Sequence, residues 1–434
     1  MRFNLAKLSA AAEVELVLPV SGTRTPTKRT LISNSVVMAL ANLAGRGLGY
    51  AYIILMAKRL EPRYLGAYAI LATASMLVEL VSNLGLDKIL VREIASGTPG
   101  VGQGYFLAAL PVRLATAAAT ASIAWFLLLA FFGTRLLTTS LSVAVFLCAI
   151  FPIVVARNCE AFLTAHEQLL PVALSQVCER VVILIAVVIL AMGRLRFGAL
   201  LCIAPLASSI RLLVVGYSTL RIWQGEARLQ RPQMVKFFRQ SIELLSVEVL
   251  ALVYFRSDVF LVANMSGLQS AAVYQISYKI FDLCISLFSG FLQAVFPRMV
   301  RDRSRASLLR ILATGTSILM VPVCLITAGR HLILGALRPE YLAGSTSLVW
   351  LMLTVPLVYI TSTFANAAIA AGHARILIAC AVLLIASNFS LNLILIPRYS
   401  INGAAFSTFA CEMLSAIVLV PFVFKKLSFC EGEA

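Results

Sequence analysis

Twelve apolar stretches follow one another along the chain, separated by short polar interruptions. They cover residues 33–57, 64–87, 105–132, 138–164, 169–192, 197–221, 239–263, 270–297, 308–328, 344–370, 376–396 and 403–424. A helix needs roughly 20 apolar residues to cross a hydrocarbon core ~30 Å thick, and each stretch meets that length. The pattern predicts an all-α integral membrane protein with about 12 transmembrane helices. Pro152, Pro205, Pro322 and Pro356 fall within spans. Each removes a backbone donor, so kinks are expected there.

Short matches recur at a nearly constant offset of about 206 residues. Gly66-Ala67-Tyr68-Ala69-Ile70 resembles Ala272-Val273-Tyr274-Gln275-Ile276, Ala165-His166 matches Gly372-His373, and Gly198-Ala199-Leu200 matches Gly403-Ala404-Ala405. The spacing predicts an internal duplication: a six-helix bundle over 33–222, a basic linker over 223–238 and a second bundle over 239–426. Residues 1–32 form an N-terminal extension and 427–434 a tail. Six helices per half give both halves the same orientation, the arrangement of transporters built from parallel repeats that rock against one another.

Composition agrees with the pattern. The chain of 434 residues is 60% hydrophobic and only 13% charged, about half the charge of a soluble domain, and its mean hydropathy is +0.93. The net charge of +17 is expected to reflect basic cytoplasmic loops, not affinity for nucleic acid. With the N-terminus inside, 21 Lys and Arg fall on the inner side and 9 on the outer. Both termini are therefore expected in the cytoplasm, although Lys58, Arg59 and Arg63 in the first outer loop run against the bias. Val14–Val20 is interrupted by Glu15 and preceded by Glu13, so no cleaved signal peptide is expected. The cysteines form no CxxC pair and are expected to pack as small apolar side chains, without a metal site or disulfide framework.

Charges inside the spans carry the chemistry: Arg46, Glu79, Arg113, Glu179, Arg180, Arg211, Glu248, Arg256 and Lys279. A charge at mid-depth costs at least about 2.5–3.5 kcal/mol, so such groups face a bundle interior or a wet cavity. Lys279 with Asp282, and Arg157 with Glu160, are three residues apart and are expected to pair locally. Arg46 and Arg113 have no acid three or four residues away. His166 and His373 are expected to be polar loop residues.

Several stretches resemble a known family. Arg256-Ser257-Asp258 followed by Ala272–Asp282 resembles the seventh and eighth helices of polysaccharide biosynthesis flippases. Leu65-Gly66-Ala67-Tyr68, leading to Asn83-Leu84-Gly85-Leu86-Asp87, resembles their second helix. Asn392–Tyr399 with Asn402-Gly403-Ala404-Ala405 resembles their eleventh-to-twelfth junction. The chain is thus similar, over residues 30–424, to Wzx-type oligosaccharide flippases of the multidrug/oligosaccharidyl-lipid/polysaccharide (MOP) exporter superfamily. The resemblance implies two six-helix bundles in a MATE-like V around a central cavity, in a bacterial inner membrane. It implies a cargo of glycan on an undecaprenyl-pyrophosphate carrier, moved to the outer leaflet for surface polysaccharide assembly. Polysaccharide polymerase and glycosyltransferases are the implied partners.

Such a cargo needs bases for its pyrophosphate, and arginine offers a planar fork that stays charged. Arg46 is the first candidate, Arg256 the second, with Arg113, Arg211 and Lys279 behind them. Export needs no cofactor; a proton or sodium gradient is the expected driving force, with Glu79, Glu248, Asp258, Asp282 and Glu412 as coupling candidates. Two other classes compete. A membrane polymerase or ligase would need a long outer loop and a catalytic constellation, and neither is found. A multidrug cation antiporter of the same superfamily would favour an acidic cavity, and the motifs above favour the sugar branch.

Overall fold

The computed structural model describes residues 28–96, 101–193, 196–223, 256–302, 304–370, 373 and 375–430, together with positions 241, 245, 249 and 254. Every regular element among them is helical. Nine are long and apolar enough to cross a membrane, one of them a 50-residue stretch over Ile376–Lys425. The chain divides into two compact units between Val249 and Leu250.

In the first unit the helices are α1 (Lys28–Arg59), α2 (Pro62–Asn83), α3 (Leu86–Ser96), α4 (Val101–Phe131), α5 (Ser140–Cys148), α6 (Ile150–Ala165), α7 (Leu169–Ala191) and α8 (Phe197–Ile222). Helix α1 packs along α7, α7 and α6 along α8, and α2 along α4. Two predicted spans are interrupted. The second ends at Asn83, because Leu84 (φ 53°) and Gly85 (φ 66°) take left-handed backbone before α3 begins. The fourth breaks at Ala149 into α5 and α6. Pro152 cannot donate to the carbonyl of Cys148, which removes the bond that would carry the helix through.

In the second unit, α9 (256–266), α10 (Leu268–Arg301), α11 (Arg305–Ala328), α12 (Arg330–Gly335), α13 (Ser345–Ala370) and α14 (Arg375–Cys430) follow. Ser400 (φ 50°, ψ −130°) breaks α14 between the predicted eleventh and twelfth spans. Helix α13 is central, packed by α10, α11 and α14. Most of the predicted seventh span lies outside the described residues. The outward faces of both units carry large apolar side chains, such as Phe126, Leu213 and Leu220 in the first and Val321, Leu325 and Ile417 in the second. In water such surfaces would aggregate; here they are the lipid-facing sides.

The matched segments occupy equivalent places. Gly66 and Ala272 are each the fifth residue of their helix, α2 and α10. Gly198 is the second residue of α8, and Gly403 follows the Ser400 break by three.

Close approach of α11 and α13 depends on a glycine. A Cβ on Gly315 would collide with the ring and hydroxyl of Tyr359, a buried side chain that donates to the Ile311 carbonyl (2.7 Å). Gly315→Ala should cost about 1–3 kcal/mol through overpacking, read as a lowered melting temperature in detergent. An unchanged melting temperature would show that the Tyr359 ring yields freely.

Candidate functional site: charged groups inside the two units

The break between α2 and α3 places Asp87 in the first turn of α3, where the helix dipole favours an acid. Asn83 donates to Asp87 Oδ2 across the break (2.9 Å). Asp87 then receives two arginines from other helices: Arg113 Nη2 on Oδ1 at 2.9 Å, and Arg157 Nη1 on Oδ2 at 3.2 Å. Arg157 Nε also donates to Glu79 Oε1 at 2.8 Å. The chain Glu79–Arg157–Asp87–Arg113 thus ties α2, α3, α4 and α6 together.

A second cluster joins α6, α7 and α8. Arg211 donates to both oxygens of Glu160, from Nε at 2.7 Å and Nη2 at 2.9 Å, and from Nη1 to Glu179 Oε2 at 3.1 Å. The bidentate fork gives this contact its geometry. Arg180 interacts electrostatically with Glu179, Tyr52 and Tyr68. Across both clusters four acids (Glu79, Asp87, Glu160, Glu179) meet four arginines (Arg113, Arg157, Arg180, Arg211). The sum is neutral, so these clusters hold no surplus charge for an anion.

These contacts revise two sequence expectations. Arg157 does not pair with Glu160 one turn away; Arg157 reaches Glu79 and Asp87 while Glu160 takes Arg211. Arg113 and Arg211 lack an acid nearby in sequence, yet both are paired through space. The Arg113 side chain is 0% exposed, which seals it from any open cavity. Glu79 is engaged by Arg157. Sequence reasoning passed over Asp87 and gave Glu160 to Arg157 instead of Arg211, since nothing local links positions 26 and 51 residues apart.

Arg46 behaves differently. It is exposed in the middle of α1, 13 residues or about 20 Å before the helix ends at Arg59. No acid pairs with it among the described residues. Gly45, Gly47 and Gly49 flank it, and a Cβ built on any of them meets nothing within 4 Å. The helix therefore presents one cation beside bare backbone, Gly45 and Gly49 on one face and Gly47 on the opposite one, with open space around all three.

In the second unit Arg256 donates to Asp282 Oδ2 at 3.2 Å, and Lys279 lies 3.5 Å from the same oxygen. The local pair of Lys279 with Asp282 is present, with Arg256 added to it. The Arg256 guanidinium also lies over the Tyr278 ring, 5.1 Å from its centroid. Asp258 is buried and accepts from the Val259 amide (2.8 Å) and from the Tyr274 hydroxyl. Glu412 is buried too. It accepts from the hydroxyls of Tyr254 (3.0 Å) and Thr361 (2.9 Å), with no base on it among the described residues. Three acids thus stand against two bases here. Glu248 lies outside the described residues.

The architecture defines a polytopic all-α membrane protein whose buried charges are mostly satisfied helix to helix. The comparisons then specify the kind. A family model described as "Polysaccharide biosynthesis protein" matches residues 31–302, and the chain belongs to that family. Among solved structures it is similar to the lipid II flippase MurJ in an inward closed conformation, at 15% identity and TM-score 0.74, covering 90% of this chain and 89% of that one. It is also similar to an inward-facing multidrug resistance MATE family transporter of the MOP superfamily, at 12% identity and TM-score 0.75, covering 89% and 96%. An outward-facing MATE family transporter aligns at 13% identity with TM-score 0.63, covering 93% and 99%. A search of the curated proteins gives no match. The chain shares the fold of these solved structures.

Proposed function

We propose that the protein is a flippase for undecaprenyl-pyrophosphate-linked oligosaccharide, carrying it from the inner to the outer leaflet of a bacterial inner membrane for surface polysaccharide assembly. The observation that carries this reading is Arg46, an exposed cation at mid-helix that is unpaired among the described residues, where the other described span arginines of the first unit stand against as many acids. A lone guanidinium facing lipid at that depth would be costly; facing a wet cavity, it can take a phosphate with two parallel hydrogen bonds. Membership of a polysaccharide biosynthesis family supports a glycan cargo. Arg256 and Lys279 are secondary contacts, partly committed to Asp282. Arg113 and Arg211 hold helices together. Export is driven by a proton or sodium gradient, with the buried acids Asp258 and Glu412 as coupling groups.

Complementation tests the reading. Expressed in strains that each lack one defined glycan flippase, the chain should restore surface glycan in at least one of them, scored by glycan blotting. Failure in every background, together with gained resistance to cationic drugs, would instead identify the antiporter branch of the superfamily.

A further inference from the structure

The second unit carries an apolar groove of about 810 Å³ between α11, α13 and the last part of α14, within the size range of ligand sites. Lipid-facing helices are apolar everywhere, so apolarity alone means nothing. The shape and the charge at one end are what distinguish this place. Small residues, Ala313 and Thr316 on α11 and Ala416 on α14, line it beside the bulkier Leu309, Leu312, Ile417 and Val420, leaving a shallow, open trench. Phe364 and Phe424, in edge-to-face contact at 5.3 Å, are among its lining side chains.

The trench has a basic mouth. On α11, Leu309, Leu312, Ala313 and Thr316 share one face, and Arg305 occupies the same face one turn earlier. Its Nη2 donates to the Phe424 carbonyl at 2.8 Å and its guanidinium lies over the Phe424 ring, which holds the charge at the groove's end. Arg301, four residues before Arg305, Arg310, next to the lining Leu309, and Lys425, next to the lining Phe424, are exposed. Asp302 is the acid there, so the described charges sum to a positive mouth. From Leu309 to Thr316 the apolar stripe runs about 10 Å along the helix axis.

We infer that this groove is a binding site for an anionic bilayer glycerophospholipid, with an acyl chain in the trench and the phosphate at Arg305 and its basic neighbours. The inference is independent of the cargo proposed above. The groove lies wholly on the second unit, whereas Arg46 belongs to the first. Basic groups at a membrane surface attract anionic headgroups by about 1 kcal/mol each, or roughly fivefold in affinity.

Native mass spectrometry of the full chain, released from micelles doped with phosphatidylglycerol or phosphatidylcholine, reads the site directly. The wild type should retain one phosphatidylglycerol through delipidation and hold it at least about fivefold better than phosphatidylcholine. Arg310→Gln with Lys425→Gln, both exposed, should shrink that preference. Ala313→Phe should remove the retained lipid of either kind. Should Ala313→Phe fail to fold, the wild-type comparison decides alone: equal retention of the two lipids overturns the inference. So does displacement of phosphatidylglycerol by an equimolar polyprenyl phosphate, which would make the groove a carrier site. A dimer in the wild type that Ala313→Phe converts to monomer would make it a contact between copies and would also overturn it.

Discussion

Asp87→Ala should destabilise the protein more than removal of any other single carboxylate in the first unit. The carboxylate serves two arginines at once, and one of them, Arg113, is fully enclosed with Asp87 as its only acid among the described residues. Removing one partner of a buried pair leaves an uncompensated charge and costs about 3–5 kcal/mol. Arg157 suffers less, because Glu79 still accepts from its Nε and Nη2. The penalty therefore sits at Arg113, and that gives the test its control. Arg113→Met removes the stranded charge while filling much of the same volume, so the double variant Asp87→Ala/Arg113→Met should recover most of the lost melting temperature. Thermal unfolding of detergent-purified protein measures both. An Asp87→Ala variant that melts with the wild type would show that the network does not hold α2, α3, α4 and α6 together.

The helices were legible in the sequence because an apolar run of membrane length has few alternatives. Where spans broke, the signals were local and partly visible: Pro152 lay within the fourth predicted span and Gly85 near the end of the second, though only the structure shows which turn opens. The pairing of charges was not legible, for a physical reason. Sequence spacing reports neighbours on one helix, and it gave Lys279 with Asp282. It carries no record of which helices adjoin, so Arg211 with Glu160 and Arg113 with Asp87 could not be read from it. The matches at an offset of about 206 sharpen the point. Tyr68 and Tyr274 occupy matched positions, as do Tyr52 and Asp258. Tyr52 meets Tyr68 ring to ring at 6.4 Å, whereas Asp258 accepts from Tyr274. Asp87, Arg113 and Arg46 correspond, at the same offset, to Gln293, Leu319 and Leu252. The short motifs recur at this offset and these charges do not.

That asymmetry makes Arg46 the residue on which transport should depend most. Arg46→Ala should cut glycan export on the order of a hundredfold, the loss of about 3 kcal/mol from a charge-assisted contact, while membrane level and melting temperature stay at wild-type values. Arg46→Lys should restore only part, because an ammonium keeps the charge and loses the planar fork. The glycines supply an independent check. Each costs a helix about 1 kcal/mol relative to alanine, and three of them line the same short stretch with nothing packed on them. Spaced as Gly45 and Gly49 are, they could serve helix packing, but empty surroundings point to room kept for a bulky passenger. Gly47→Leu fills that room without touching the charge, so it should lower export while raising or preserving stability. A packing role predicts the opposite, a loss of stability with export following it down. If Arg46→Ala exports at the wild-type rate, the cation is not a phosphate contact, whatever Gly47→Leu does; if Arg46→Ala alone fails, the charge matters and the open space does not.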